Sequence, residues 1–166
     1  MIFVTVGTHE QPFTRLVEYM DKWAADHDEE VVIQSGVTSY EPKNCRWQKF
    51  YSQVQMDEFN KDARIVITHG GPRCFMEVLH LGKTPIVVPR QPKLVEHIDD
   101  HQVKIDRVFK EQYDSIFLIE DISTLGETIE HYDELKEKLG NREYVSNTAA
   151  FCERFSDIVN SLMNGK

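Results

Sequence analysis

The sequence lacks the features that mark secreted, disulfide-bonded or membrane-spanning proteins. Its three cysteines, Cys45, Cys74 and Cys152, are far apart and odd in number, so neither a disulfide framework nor a C-x-x-C zinc site is predicted. A reducing compartment, the cytoplasm, is the expected location. No apolar run reaches the roughly 18 residues that a membrane-spanning helix needs, so no such span is predicted.

Positive charge is also scarce. Lysine and arginine together number 19 against 28 aspartates and glutamates, which gives a net charge of −9. Because a phosphate backbone selects a basic face, nucleic acid is disfavoured as the main partner. The opening "MIFVTVGTHE" has neither a basic region nor a long apolar stretch, and we expect a first strand there rather than a signal peptide. The G-x-G-x-x-G motif is missing, which disfavours a dinucleotide site.

Strand-like and helix-like segments alternate along a chain that has no internal repeats. Apolar runs typical of strands lie at 2–6, 31–34, 64–68, 85–88 and 116–119, with a shorter candidate at 47–51. Helices are predicted over 12–26, 55–62, 73–82, 98–110, 123–139 and 144–163. In 166 residues this alternation predicts one α/β domain, residues 1–166, with a Rossmann-like, mostly parallel sheet and helices on both faces.

Open parallel sheets bind ligands beyond the carboxyl ends of their strands. That rule selects "GTHEQPF" after the first strand, "HGGPR" after "RIVIT", and "RQPKLVEHIDDHQ" after "PIVVP". These three stretches also carry the least ordinary side-chain chemistry of the chain. We therefore expect them to form one ligand site.

The glycines and proline of "HGGPR" suit an anion site. Gly70 and Gly71 allow a ligand to approach the backbone, and Pro72 fits the first turn of a helix. Free amides at a positive helix end bind phosphate, with Arg73 adding a charge at the rim. An ordinary strand-to-helix turn is the alternative.

Glu77 lies about one to one and a half turns into the helix that follows. A carboxylate at this place can accept hydrogen bonds from two vicinal hydroxyls, as acidic residues do with ribose. The alternative is a solvated glutamate on a helix face. That alternative is disfavoured by the apolar neighbours of Glu77, which are Phe75, Met76, Val78 and Leu79.

Two further groups of polar residues follow predicted strands. "VEHIDDHQ" suits a comb that hydrogen-bonds sugar hydroxyls; metal binding is the less favoured reading, because neighbouring side chains on a helix diverge. Asp99 and Asp100 also suit simple helix-start charge. His9 is a candidate general base, since histidine titrates near neutral pH, and an ordinary loop histidine is the alternative.

Together these motifs resemble a known family. "ITHGGP" (67–72), Glu77, "GKTPIVVPRQ" (82–91) and "EHIDDHQ" (96–102) resemble the donor-binding, C-terminal half of glycosyltransferase family 28, of the GT-B fold. With the opening "MIFVTVGTHEQPFTRLV", the chain is similar to the small soluble subunit of two-component glycosyltransferases. That group includes the bacterial exopolysaccharide and capsule enzymes and the dolichol-pathway N-acetylglucosaminyltransferase subunit.

The resemblance implies a donor site built from Gly7, Thr8, His69, Gly70, Gly71, Arg73, Glu77, Arg90, Asp100, His101 and Gln102. The glycine turns would hold the diphosphate, Glu77 the ribose, and the late polar residues the donor sugar. Arg73 or Arg90 would stabilise the leaving UDP in place of a metal, and no cofactor is expected. Relatives often carry Gly-Ser where this chain has Arg73-Cys74.

The implied function is inverting transfer of a hexosyl group from UDP-galactose, UDP-glucuronate or UDP-N-acetylglucosamine to a lipid-linked saccharide in exopolysaccharide or capsule synthesis. A membrane-anchored partner subunit would bind the acceptor and hold the chain at the cytoplasmic face of the membrane. The catalytic base would be His9 or a group of that partner. A non-catalytic nucleotide-sugar-binding module is the alternative, and a flavodoxin-like domain for another phosphate ligand is a third.

The last predicted helix carries an apolar stripe. Its members are Val145, Ala149, Cys152, Phe155, Val159 and Leu162. We expect this stripe to pack across the sheet, with docking onto a partner as the alternative.

Overall fold

The computed structural model describes residues 1–139 and 147–164. Its strands are β1 (Ile2–Thr5), β2 (Val31–Gln34), β3 (Arg46–Gln48), β4 (Ile65–His69), β5 (Ile86–Val88) and β6 (Phe117–Leu118). Its helices are α1 (Thr14–Ala25), α2 (Gln53–Asp62), α3 (Pro72–His80), α4 (His101–Tyr113), α5 (Leu125–Glu130), α6 (Tyr132–Leu139) and α7 (Thr148–Asn164). The predicted α/β class is confirmed.

The six strands form one sheet in the order β3-β2-β1-β4-β5-β6, and every neighbouring pair is parallel. The chain winds outward from β1 to β3, then returns to β4 and winds outward in the other direction. The order therefore reverses between β1 and β4, and the carboxyl ends of these two strands flank the place where such sheets bind ligands.

Side chains on the two faces of the sheet pack against different helices. Ile2, Val4 and Val6 alternate onto the face that α1 and α5 cover, in one buried cluster with Leu16 and Ile129. Phe3, which lies between Ile2 and Val4, points to the opposite face, which α2 and α3 cover. It belongs to a second buried cluster, whose members are Phe3, Val32, Phe59, Ala63, Val66 and Val78. Apolar residues on both sides explain why the strands are nearly continuous apolar runs.

Two predicted helices differ from what is observed. The helix expected over 98–110 begins at His101; before it, Pro92–Leu94 form a short 3-10 helix and Val95 adopts a left-handed φ of 60°. The helix expected over 123–139 is two helices, α5 and α6, which meet at His131. The first difference matters for function, since it turns residues 95–100 into a loop at the carboxyl edge of the sheet.

The last helix does not pack across the sheet as expected. No residue of α7 is buried, and its large apolar side chains are mostly more than half exposed: Phe151, Phe155, Ile158, Leu162 and Met163. Val145, the first member of the predicted stripe, lies outside the described residues. By contrast, α5 and α6 cover the sheet with the buried Leu125, Ile129 and Tyr132. Within the two described ranges, no helix combines the length and the apolar character needed to cross a bilayer.

Candidate functional site

Three loops meet at the carboxyl edge of the sheet, where the strand order reverses. They follow β1 (residues 6–13), β4 (residues 70–71) and β5 (residues 89–100). Side-chain contacts tie the first loop to each of the other two, as described below. The three segments that the strand rule selected are thus brought together in one place.

Arg90 joins the loop after β5 to the loop after β1. It is 1% exposed, and its guanidinium donates to the carbonyl oxygens of Gln11 at 2.7 Å, Val6 at 2.8 Å and Glu96 at 3.1 Å. It also lies 4.8 Å from the centre of the Phe13 ring. Burial lowers the pKa of Arg90 to about 10. Instead of facing a leaving diphosphate, as the resemblance implied, Arg90 holds the first loop in place.

A buried ion pair supports the same corner. Arg15 of α1 donates from Nε to Glu96 at 2.8 Å and from a terminal nitrogen to the other carboxylate oxygen at 3.0 Å. Glu96 also accepts the amide of Gln91 at 3.1 Å. No local pattern in the sequence points to Arg15, because the two partners are 81 positions apart.

His69 lies between the two glycine turns. It ends β4 and is 9% exposed. A methyl group at Gly7 or at Gly71 would lie within 3.0 Å of the His69 ring, so the ring occupies the space that a side chain would need at either turn. Burial, with a smaller contribution from the nearby Arg90, lowers the pKa of His69 to about 4. The imidazole is therefore neutral at physiological pH.

Gly70 makes room for a different group of the protein. A methyl group there would collide with the Asp106 carboxylate of α4 and would come within 3.0 Å of the Gln102 side chain. Asp106 is fully buried, and neither of its carboxylate oxygens has a hydrogen-bond partner among the described residues. Burial raises the pKa of Asp106 to about 8, with a smaller contribution from Glu120. The space that glycine leaves at positions 70 and 71 is therefore filled by side chains of the protein. The sequence had led us to expect a ligand there.

The start of α3 offers fewer free amides than the motif suggested. The Gly71 amide donates to the His69 carbonyl at 2.8 Å, and the Cys74 amide donates to the Gly71 carbonyl at 2.9 Å. Pro72 has no N–H. Among the described residues no hydrogen bond takes up the Arg73 amide, so this amide is a first-turn donor left for an anion.

Arg73 and Glu77 form an ion pair on the solvent side of α3. The Arg73 Nε lies 2.9 Å from the Glu77 carboxylate, and the two side chains are 79% and 36% exposed. This pairing raises the pKa of Arg73. One Glu77 oxygen is thus already engaged by Arg73, and the ribose role of Glu77 remains a prediction.

The polar comb at residues 99–102 divides into exposed and buried members. Asp100 is exposed and pairs with Lys104 at 2.9 Å, and His101 is exposed at the start of α4. Gln102 is buried, and its side-chain oxygen accepts the Arg90 amide at 3.1 Å. Asp100 and His101 remain available to a ligand, while Gln102 shapes the end of β5.

His9 extends from the first loop onto the loop after β5. Its ring lies on the His97 ring with 4.6 Å between centres. Its Nδ1 accepts the Gln11 amide at 3.1 Å, so in the neutral ring the proton is on Nε2. Burial lowers the pKa of His9, and so do His97 and Arg90. The nitrogen left for a ligand is therefore a donor, and acting as a base would require the ring to release Gln11.

Residues 1–139 and 147–164 contain no cluster of three or more His, Cys, Asp or Glu side chains that could hold a metal ion. Asp99 is engaged locally, since its carboxylate accepts the His101 amide at 3.0 Å. The exposed Asp100 is paired with a lysine, as described above. No metal-ligand set was predicted for this loop, and the independence of the reaction from metal remains a prediction.

Comparison with known proteins places this geometry in context. The family model described as the glycosyltransferase family 28 C-terminal domain matches residues 1–162. A solved structure described as a crystal structure analysis of the glycotransferase of kitacinnamycin shares the fold, with a TM-score of 0.56 and 18% sequence identity over 86% of this chain. The match spans 38% of that structure's chain. Comparison with curated protein sequences gives no significant match.

Proposed function

The chain belongs to the glycosyltransferase family 28 C-terminal domain family, and from that premise we propose that it is the donor-binding and catalytic subunit of an inverting glycosyltransferase. It would transfer a hexosyl group from a UDP-sugar to a lipid-linked saccharide in exopolysaccharide or capsule synthesis. UDP-galactose, UDP-glucuronate and UDP-N-acetylglucosamine are the candidate donors. A membrane-anchored partner would supply the acceptor site at the cytoplasmic face of the membrane.

The observation that carries this proposal is the meeting of three loops at the point where the strand order reverses. Gly7 and Gly71 both lie against His69, and His9 lies against His97. In the proposed site, along the carboxyl edge of the sheet, the Arg73 amide would donate to the diphosphate, Glu77 would accept from the ribose, and Asp100 and His101 would bind the sugar. In α/β sheets that edge is where nucleotides bind.

In this proposal each part of a UDP-sugar would have a matching group at this edge. The Arg73 amide and guanidinium would bind the diphosphate, Glu77 the ribose hydroxyls, and Asp100 and His101 the hexose. In the reaction an acceptor hydroxyl attacks the anomeric carbon and loses its proton to a base, while the bond to UDP breaks and UDP leaves with the electron pair. Donors aimed at the developing negative charge lower the barrier, and the Nε2–H of His9 would be one such donor.

The proposed partner rests on α7. The apolar side chains of α7 have no cover in the described parts of the chain. A contiguous apolar face of this kind marks an interaction surface, and we assign it to the partner subunit.

Replacing Glu77 with glutamine is expected to weaken binding of UDP by about 10- to 100-fold, because a hydrogen bond to a charged group contributes about 1.5–3 kcal/mol. The loss should be specific to ribose. Wild-type chain should prefer UDP over 2′-deoxy-UDP, and Glu77→Gln should remove most of that preference. Isothermal titration of both nucleotides, after a thermal-shift screen of UDP-sugars and of ADP, GDP and CDP, measures this.

The matched control is Glu111→Gln, an exposed glutamate near the far end of α4, which should leave both affinities unchanged. Arg73→Ala tests the diphosphate contact: it should lower the affinity for UDP and leave the affinity for uridine unchanged. Equal UDP affinities of wild type and Arg73→Ala would refute the contact of Arg73 with the diphosphate. A wild-type chain that binds no uridine nucleotide would contradict the proposal. Binding of UDP-sugars without transfer by the reconstituted pair would favour the non-catalytic module.

Substituting Phe155 and Leu162 of α7 with serine is expected to abolish co-purification with the partner subunit while leaving UDP affinity and the melting temperature unchanged. Anchor side chains buried at interfaces contribute about 2 kcal/mol or more each, so each substitution should weaken the association by about 30-fold or more. Affinity pull-down from detergent-solubilised membranes after co-expression measures the association, and Asn160→Ser on the same helix is the control. Unchanged recovery of the partner would contradict the assignment. A dimer of this chain in sedimentation velocity that the double substitution dissociates would assign α7 to self-association instead.

A further inference from the structure

The glycines at 7 and 71 have a physical reason that ligand access does not supply. Gly71 has a φ of −81° and a ψ of 115°, which every ordinary residue adopts, so its backbone does not require glycine. What a side chain there would meet is the imidazole of His69. Gly7 has a φ of 73° and needs glycine for its conformation too, but a methyl group there would also meet the His69 ring.

One rigid side chain therefore contacts two turns that come from different strands. His69 is the last residue of β4 and is paired in register with Val88 of β5. Its main chain is held by the sheet, and its ring is buried between the turns. The Gly7 turn is fixed from its other side, since the Gly7 amide donates to the Thr5 hydroxyl at 3.2 Å and Arg90 binds the Val6 carbonyl.

We propose that His69 is a spacer between the two turns: its ring sets the distance from the Gly7-Thr8 turn to the Gly71-Arg73 turn and so sets the width of the opening that takes the donor diphosphate. It is a positioning residue that does not touch the ligand. This inference rests on the proposed function for its ligand, whereas the packing that it describes is independent of any ligand. The resemblance implied that His69 contacts the UDP-sugar, whereas in this proposal His69 positions the two turns that do.

The packing is tested first without ligand, by a double-mutant cycle. Gly71→Ala forces a methyl group into the ring and is expected to lower the melting temperature by about 4–8 °C. In the His69→Ala background the same Gly71→Ala change should cost almost nothing, since the obstacle is gone. Gly71→Ala combined with Glu111→Gln, a distant exposed change, should be additive. Equal costs of Gly71→Ala in both backgrounds would overturn the spacer.

The link to the ligand is tested with UDP as the probe. His69→Ala is expected to lower UDP affinity about tenfold, because the turns lose their fixed separation. In nitrogen-resolved NMR of the wild-type chain, UDP should shift the amide signals of Thr8 and Arg73 but leave the ring-nitrogen signals of His69 in place. A ring signal that moves as far as those amides would mean direct contact and would overturn the proposal.

The proposed function and the spacer role of His69 would fail in different ways. If wild-type chain binds no UDP while the ligand-free cycle still shows coupling, the proposed function fails and the diphosphate part of this inference fails with it. If UDP binds with the expected ribose preference while the cycle is additive, the proposed function stands and the spacer is overturned.

Discussion

Replacing Arg90 with leucine is expected to lower the free energy of unfolding by about 3–5 kcal/mol, the range found when a buried charged group with several partners is removed. The guanidinium donates to four carbonyl oxygens, those of Val6, Gln11, Pro12 and Glu96. Leucine fills part of the volume but leaves those acceptors without a donor in a buried place. The loop after β1 would lose its attachment to the loop after β5.

Urea unfolding followed by circular dichroism measures this loss. Arg107→Leu is the matched control, since Arg107 pairs with Glu120 at an exposed position, and its midpoint should hardly move. We also expect Arg90→Leu to weaken UDP binding even at temperatures where the variant is folded, because Gly7, Thr8 and His9 belong to the released loop. A variant as stable as the control would show that the guanidinium is not the group that holds this loop.

The second large effect is a stability gain from Asp106→Asn that grows with pH. The pKa of Asp106 is about 8 in the folded chain against an ordinary 3.8. Below pH 3.8 both states carry the proton and the burial of Asp106 adds no pH dependence. Between that pH and about 8 the unfolded chain releases the proton while the folded chain retains it, so wild-type stability falls as pH rises, by about 1.4 kcal/mol per pH unit at most. Asparagine does not titrate.

The difference in the free energy of unfolding between Asp106→Asn and wild type should therefore widen by about 1 kcal/mol per pH unit from pH 5 to pH 7. Denaturant unfolding at pH 5, 6, 7 and 8 measures it. Asp100→Asn, an exposed aspartate paired with Lys104, is the control and should give a curve nearly parallel to wild type. Parallel curves for Asp106→Asn as well would mean that the folded chain holds Asp106 ionised.

The two predictions concern residues that differ in how far the sequence marks them. The family motif implied that Arg90 lies at the diphosphate, whereas no motif contains Asp106. In "HQVKIDRVFK" an aspartate at this spacing looks like an ordinary exposed helix residue. Its burial comes from the approach of α4 to Gly70 across 36 positions of the chain, and no local pattern contains that approach.

The fold could be predicted from the spacing of apolar residues, because that spacing depends directly on which faces of a strand or helix are buried. Strands covered on both faces must be apolar throughout, and helices covered on one face must repeat every three to four residues. Glycine, proline and the alternation of elements then leave few topologies open. The differences between the predicted and observed helices lie at helix ends and at a break, such as the start of α4 at His101. The left-handed backbone of Val95 before it has no signature in the sequence.

The meeting of the three loops was predictable for the same reason, since the carboxyl ends of parallel strands have to lie at one edge. The roles of the residues in these loops were not. Whether a polar side chain faces a ligand or the interior depends on contacts such as Arg90 with the carbonyls of the first loop, Arg15 with Glu96, and His69 with two glycines. These contacts join residues up to 84 positions apart, and their energies depend on distance and burial in three dimensions. Local residue type determines which chemistry is available at the edge of the sheet, and tertiary packing determines which groups remain free to use it.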